Sequence, residues 1–480
     1  MSYIIGRKSE VDEIERHYRS DRSEFIAVYG RRRVGKTFLI NQALKGRITF
    51  QHTGVSPVDQ EKGKSRMKVQ LESFYFSLLS HGLEGFAMPK SWMEAFYQLE
   101  QLLLKLDDGK RQVVFIDELP WIDTARSSFV IALEAFWNGW GNTRKNLMFI
   151  VCGSATSWIL DNIINNKGGL YGRLTWEMKL LPFTLKDCEE FYASHGIKMS
   201  RYNVVQSYMV FGGIPFYMNY LKPEYSLAQN IDNLFFASDA KLDDEFNRLF
   251  NSVFDKADSC IKIVKALANR HSGYTRGELS QMTGINQNGD FTVLLKSLIS
   301  SGFVKSYVPF GYSQRQVHYK LTDNFCWFWL HFKEKKRVAE TDYWERHLNE
   351  SDIAAWRGIA FEEICFTHIG QIKKALGITG VSSTESAYIA QNQPSDDGMQ
   401  IDMVINRADD VVNLCEMKFY KDKISIDKAY AETLVHRQTI FEQKYPKKTV
   451  HLTLVSATDV VRNEYSDVLQ SKVTIDDLFD

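Results

Sequence analysis

Short, uninterrupted apolar runs alternate along the first 185 residues with segments patterned as helices. FIAVY (25–29), VVFIDE (113–118), NLMFIVCGS (146–154) and WEMKLLPF (176–183) each read as a strand buried on both faces, the pattern of a parallel sheet in an α/β domain. The pattern changes after residue 250. CIKIVKALAN (260–269) is an amphipathic helix. TRGELSQMTG (275–284) is a shorter one, with Thr275 as N-cap and Glu278 completing a capping box. NGDFTVLLKSLISSGF predicts a third helix closing at Gly302, and two strands follow around FGYSQ. Farther on, WRGIAFEEICFTHI (356–369) predicts a helix. IDMVIN (401–406) and VVNLCEMKF (411–419) predict a hairpin about the turn RADD.

These patterns divide the chain into residues 1–185, 186–250, 251–335 and 345–480. The charged stretch KEKKR (333–337) marks the last boundary. The expected fold is α/β and multidomain: a phosphate-loop parallel sheet with a helical lid, a winged helix-turn-helix, and a C-terminal α/β domain.

The first run ends at GRRRVGKTF (30–38), which meets G-x-x-x-x-G-K-[ST] in full between a strand and a helix. Gly30 and Gly35 permit the sharp turn. The backbone N–H groups of Gly30, Arg31, Arg32, Arg33, Val34, Gly35, Lys36, Thr37 and Phe38 wrap a phosphate at a helix N-terminus. Lys36 reaches the β- and γ-phosphates of ATP, and the Thr37 hydroxyl ligates Mg²⁺. The second run ends in Asp117, which suits the Mg²⁺ water shell, and Glu118, which suits a base orienting the attacking water. Ser154 ends the third run, placed for the γ-phosphate or the attacking water, with an N-cap for SWILD as the alternative. Arg173 is a candidate for stabilising transition-state charge, including that on a neighbouring subunit's nucleotide in a homo-oligomer; a surface salt bridge is its alternative.

IIGRKSEVDEIE (4–15), GRRRVGKT, VVFIDELPW, VCGSATSW, YGR (171–173) and VFGGIPFYM (210–218) together resemble the archaeal-type ATPase family, which lies near the AAA+ and STAND signalling ATPases. The resemblance implies a five-stranded core with a helical lid. It also implies that Ile5, Gly6 and Arg7 lie near the adenine, and that Gly212, Gly213 and Pro215 open the lid beside the base. No arginine directly follows GGIPFYM, so the γ-phosphate-sensing lid arginine of AAA+ enzymes has no counterpart there.

In the C-terminal third, strand period two puts Glu416 and Lys418 on one face, and Asp402 reaches it across the hairpin. Carboxylates there suit Mg²⁺, and Lys418 suits orienting or deprotonating water beside a scissile phosphate. Glu362 from the preceding helix would complete the metal shell, and Gln438 would orient substrate or water. Glu on a helix, then Asp, a hairpin and Glu-x-Lys resembles the PD-(D/E)xK nuclease fold, which implies DNA or RNA as substrate. The alternative is an edge-strand Glu–Lys pair.

Composition narrows the partners. Lys and Arg total 59, as do Asp and Glu, so any nucleic-acid surface must be local. Lys421, Lys423, Lys428, Lys447 and Lys448 are candidates, whereas the third middle helix offers only Asp290, Thr292 and Lys296. WFWLHF (327–332) reads as core. Six scattered cysteines without a C-x-x-C pair fit a reducing cytoplasm. The N-terminus is not patterned as a signal peptide, and no apolar run approaches the ~20 residues of a membrane span.

Overall fold

The computed structural model describes residues 4–56, 65–334, 341–389 and 400–480. It contains two compact units: residues 1–182 with 247–260 and 292–302, and residues 183–246, 261–291 and 303–480. The KEKKR boundary lies mostly outside the described residues.

The first unit is built on strands β1 (Glu24–Tyr29), β2 (Ile48–Thr53), β3 (Gln112–Asp117), β4 (Leu147–Gly153) and β5 (Trp176–Lys179). All pairings are parallel, in the order β2-β3-β4-β1-β5. Every residue of β1, β3 and β4 is buried, as their unbroken apolar runs require. Phe25, Phe96, Phe136, Trp137 and Phe149 pack one face of the sheet against helices Trp92–Lys105 and Phe129–Gly139. The fourth run is shorter than its apolar pattern predicts: β5 ends at Lys179. Leu180 N–H still donates to Tyr29 O at 2.8 Å, but Pro182 lacks an N–H for further pairing. Because β4 lies between β3 and β1, the carboxyl ends of these three strands are neighbours. Gly30, Asp117, Glu118 and Ser154 are thereby collected at one sheet edge.

The middle segment has the predicted element order. Helices Ala257–Leu267, Arg276–Thr283 and Gly289–Ser300 precede β7 (Val304–Tyr307) and β8 (His318–Leu321), and β6 (Tyr274–Thr275) adds a third antiparallel strand. The Thr275–Glu278 capping box forms in full. Lys296, one of the few polar candidates on the third helix, is ion-paired with Asp161 at 2.5 Å. Phe328, Trp329, Leu330 and Phe332 are buried, as the core reading of WFWLHF requires.

The C-terminal sheet is mixed. β9 (Ser383–Tyr388), β10 (Ile401–Arg407) and β11 (Val411–Lys418) are antiparallel; β12 (Thr449–Ser456) and β13 (Ser471–Thr474) run parallel to β11. The RADD turn closes the hairpin with Asp410 at φ 64°. Helices Ser351–Thr367 and Lys428–Lys444 belong to the same unit. All six cysteines are buried, and none forms a disulfide. No described helix is long and apolar enough to cross a membrane.

Candidate nucleotide site and a C-terminal carboxylate cluster

The loop after β1 turns at Gly30, whose φ is 136°. A Cβ there would lie 2.3 Å from the Leu180 carbonyl oxygen, so only glycine fits between loop and β5. The helix Lys36–Ala43 starts directly after Gly35. Lys36 is buried, and its ammonium donates to Gly30 O (3.0 Å), Arg31 O (3.1 Å) and Ser154 Oγ (3.1 Å). Thr37 Oγ1 donates to Asp117 Oδ2 at 2.6 Å. Asp117 Oδ1 accepts from the Glu118 N–H at 2.9 Å, which helps hold Glu118 at φ 50°.

Glu118 is the other anchor. Its Oε1 accepts from Ser154 Oγ at 2.8 Å and its Oε2 from Ser154 N–H at 3.1 Å. Ser154 therefore joins the loop lysine to the carboxylate. It is not a helix N-cap: Ala155 holds that position for Thr156–Ile159. Burial, with the Asp117 carboxylate nearby, pushes the Cys152 thiol up and leaves it unreactive.

The remaining loop candidates have varied settings. Val34 is buried and Phe38 is 53% exposed. Arg33 adopts φ 74°. Arg31 Nη1 donates to Arg32 O at 3.1 Å, and the Arg32 guanidinium carbon lies 5.2 Å from the Trp121 ring centroid. Arg7 is buried; its Nη2 donates to Leu181 O at 2.7 Å and to Val34 O at 3.5 Å, bracing the loop from behind. Ile5 and Gly6 are half-buried beside it in the chain. Arg173 is exposed, and no ion pair involves it among the described residues, so the salt-bridge alternative is not formed. In the second unit, Gly213 has φ 65°, and a Cβ there would lie 2.4 Å from Phe183 O. Pro215 opens the short helix Pro215–Met218.

The hairpin places Asp402 opposite Glu416. Asp402 Oδ2 accepts the Met417 N–H at 2.8 Å. Burial first, then the Glu362 and Glu416 carboxylates, push its pKa up to about 7. Glu416 is buried and fully engaged. Oε1 meets Lys418 Nζ at 2.8 Å and Tyr430 Oη at 3.2 Å, and Oε2 meets Arg437 Nη1 at 2.7 Å. Burial opposes the charge on Lys418, but Glu416 and Asp402 outweigh it and hold that ammonium above its usual value. Glu362 pairs with His271 Nε2 at 2.9 Å, and the adjacent Glu363 pairs with buried Lys320 at 2.6 Å. His271, Tyr307, Lys320, Glu362, Phe366 and Asp402 line a cavity of about 210 Å³.

Glu362, Asp402, Glu416 and Lys418 thus do share one region. Among the described residues, however, no three His, Cys, Asp or Glu side chains are arranged to hold a metal. Gln438 is turned to structural use, donating to Val450 O at 3.0 Å and to Glu442. The sequence reading missed Tyr430, Arg437, His271 and Lys320. Tyr430 and Arg437 lie seven residues apart on the helix Lys428–Lys444, hence on one face, and that spacing was the available signal. His271 and Lys320 come from other segments and left none.

A parallel sheet that delivers a G-x-x-x-x-G-K-T loop, an Asp–Glu strand end and a polar third strand end to one edge defines a phosphate-loop ATPase domain. Residues 4–221 match the model of an ATPase domain found predominantly in Archaea. The chain is 25% identical over 375 residues to the uncharacterized protein MJECL04 of Methanocaldococcus jannaschii, covering 77% of this chain and 78% of that one. It is 42% identical over 44 residues to the uncharacterized ATP-binding protein MJ0423 of the same organism, covering 9% of this chain and 75% of that one. Among solved structures it is similar to the Walker-type ATPase paby2304 of Pyrococcus abyssi, at 16% identity and TM-score 0.43, covering 68% of this chain and 96% of that one. It is also similar to the ORC2 protein of Aeropyrum pernix in its ADPNP–ADP complexes, at 14% identity and TM-score 0.33, covering 67% and 91%.

Proposed function

We propose that this protein binds and hydrolyses ATP at the loop 30–38, and that the nucleotide state regulates or positions the C-terminal carboxylate centre on a nucleic acid. The observation carrying the first part is the Lys36–Ser154–Glu118 chain, which joins a phosphate ligand to a base. Lys36 exchanges loop carbonyl partners for the β- and γ-phosphates. Glu118 orients the attacking water and takes its proton, and Ser154 holds the carboxylate in place. The Thr37 hydroxyl, 2.6 Å from Asp117, forms the oxygen-donor pair that suits Mg²⁺. Bound there, Mg²⁺ neutralises phosphate charge. Ile5, Gly6, Arg7, Gly213 and Pro215 are assigned to the adenine side by family resemblance. Arg173, exposed and unpaired, is available to a second copy of the chain.

For the C-terminal centre, the support is geometric: Glu362 and Asp402 line one cavity, and Asp402 bonds the strand that carries Glu416 and Lys418. As they stand, those three carboxylates are not arranged around one ion, so the nuclease reading requires Glu362 and Glu416 to leave their present partners before Mg²⁺ could be held beside Lys418. One observation favours a second reading, in which this domain binds a partner or nucleic acid without cutting while ATP acts as a switch: Lys418, Tyr430 and Arg437 already occupy both oxygens of Glu416. Plasmid and oligonucleotides are incubated with the protein and Mg²⁺ or Mn²⁺, with and without ATP, beside Lys418→Ala. Cleavage lost in Lys418→Ala supports the nuclease. Equal inertness of both proteins on every DNA and RNA form sinks it and leaves the switch.

A further inference from the structure

The three arginines of the phosphate loop hold the variable positions of the motif, and the setting of the Arg32 side chain bears on what it can do. Its guanidinium lies over the Trp121 ring, and its Nη1 is shut off from solvent with no hydrogen-bond partner among the described residues. A buried guanidinium donor without an acceptor is costly, and such a group in a native fold calls for an explanation. Trp121 is fixed on several sides. Its N–H donates to Glu118 O at 2.9 Å, its carbonyl accepts from Gln70 Nε2 at 2.9 Å, and its indole N–H donates to Ser252 O at 3.4 Å. Gln70 is itself fully buried and clamps both the N–H and the carbonyl of Val55. The ring under Arg32 is therefore held by the same short turn that presents Glu118.

We propose that Arg32 is a γ-phosphate-contacting catalytic residue supplied in cis, with Trp121 as the positioning residue whose ring restricts where its guanidinium can lie. This rests on the loop being the ATP site. It provides, from the loop itself, the cationic sensing that the lid lacks after GGIPFYM. Arginine suits the task because its fork donates to two phosphate oxygens at once and its flat face stacks on indole; lysine does neither. A contact confined to the γ-phosphate adds affinity for ATP and none for ADP, and it strengthens as charge builds on the transferring group.

The test measures binding of β,γ-imido ATP and of ADP, together with kcat and KM, in Arg32→Ala, Arg32→Lys, Trp121→Phe and Trp121→Ala of the full chain. In both Arg32 variants, affinity for the ATP analogue falls by about tenfold or more, ADP affinity stays within about twofold, and kcat falls. Trp121→Phe, which keeps an aromatic face, retains most of kcat; Trp121→Ala reproduces the Arg32 effect. Equal loss of ATP-analogue and ADP binding in Arg32→Lys, or unchanged discrimination in Arg32→Ala, overturns the proposal and leaves the stack as packing. Lys36→Ala reports separately on the ATP site. If it binds and hydrolyses ATP normally, the loop reading itself falls.

Discussion

Ser154 donates its hydroxyl to Glu118 Oε1 at 2.8 Å and its backbone N–H to Glu118 Oε2 at 3.1 Å. The carboxylate expected to orient water is thus fixed through both oxygens by the neighbouring strand end, and the same hydroxyl accepts from Lys36. Removing the base should leave binding and abolish turnover. Glu118→Gln is expected to bind ATP with near wild-type affinity and to hydrolyse it about 100-fold more slowly or worse. Ser154→Ala should lose roughly tenfold in kcat, by loosening Glu118, with little change in KM. Phosphate release in steady state checks both. Wild-type hydrolysis by Glu118→Gln would remove Glu118 from its role.

Thr37 and Asp117 share one hydrogen bond at 2.6 Å. Thr37→Ala should weaken nucleotide binding in Mg²⁺ far more than in EDTA, because the proposed role of the hydroxyl is on the ion and not on the phosphates. Calorimetric titration with ADP under both conditions separates the two. An identical loss with and without Mg²⁺ would place Thr37 in packing only.

Gly30 has a Leu180 carbonyl oxygen where a side chain would begin. Gly30→Ala should displace the loop from β5, lower the thermal midpoint and lose ADP affinity together. Unchanged melting and binding would mean that the loop relaxes freely, against the tight approach described.

Glu416 is buried between Lys418 and Arg437. Arg437→Met leaves that carboxylate short of a partner on its Oε2 side. A loss of roughly 2 kcal/mol is expected, less than for a fully buried pair because Arg437 remains 28% exposed. Urea unfolding followed by tryptophan fluorescence measures it. A stability equal to wild type would show that solvent readily replaces the guanidinium.

His52 on β2 is 2% exposed, and burial lowers its pKa to about 4 while Nδ1 meets Ser77 Oγ at 2.9 Å. A folded pKa below the unfolded one, near 6.5, favours the neutral ring. Its contribution is full above pH 6.5 and is lost as pH falls through 4, a change on the order of 3 kcal/mol. His52→Gln should flatten the fall in stability between pH 6.5 and pH 4, read by urea midpoints at several pH values. A slope unaffected by the substitution would assign the acid sensitivity elsewhere.

The segments that form the candidate nucleotide site were legible in the sequence because their patterns are local and contiguous. A loop of fixed spacing carries its own glycines, lysine and threonine, and an unbroken apolar run ending in Asp-Glu or Ser announces a buried strand and what its end presents. The Thr275–Glu278 cap and the RADD turn were readable for the same reason: both are set by residues within a few positions of one another. The strand order was not written in any of these segments. Only the packed sheet, with β4 between β3 and β1, decided that Ser154 touches both Lys36 and Glu118 and is no helix cap. Nor does a pattern of alternating residues state what a carboxylate will meet. Glu416 and Lys418 share a face by period alone. That Arg437 and Tyr430 fill the other side of Glu416, and that His271 and Lys320 reach Glu362 and Glu363, depends on contacts between residues 14 to 91 positions apart. Local spacing fixes which groups a segment can offer. Long-range packing, driven by burial of apolar faces that are indifferent to the polar atoms they bring along, decides which of those groups remain available for chemistry.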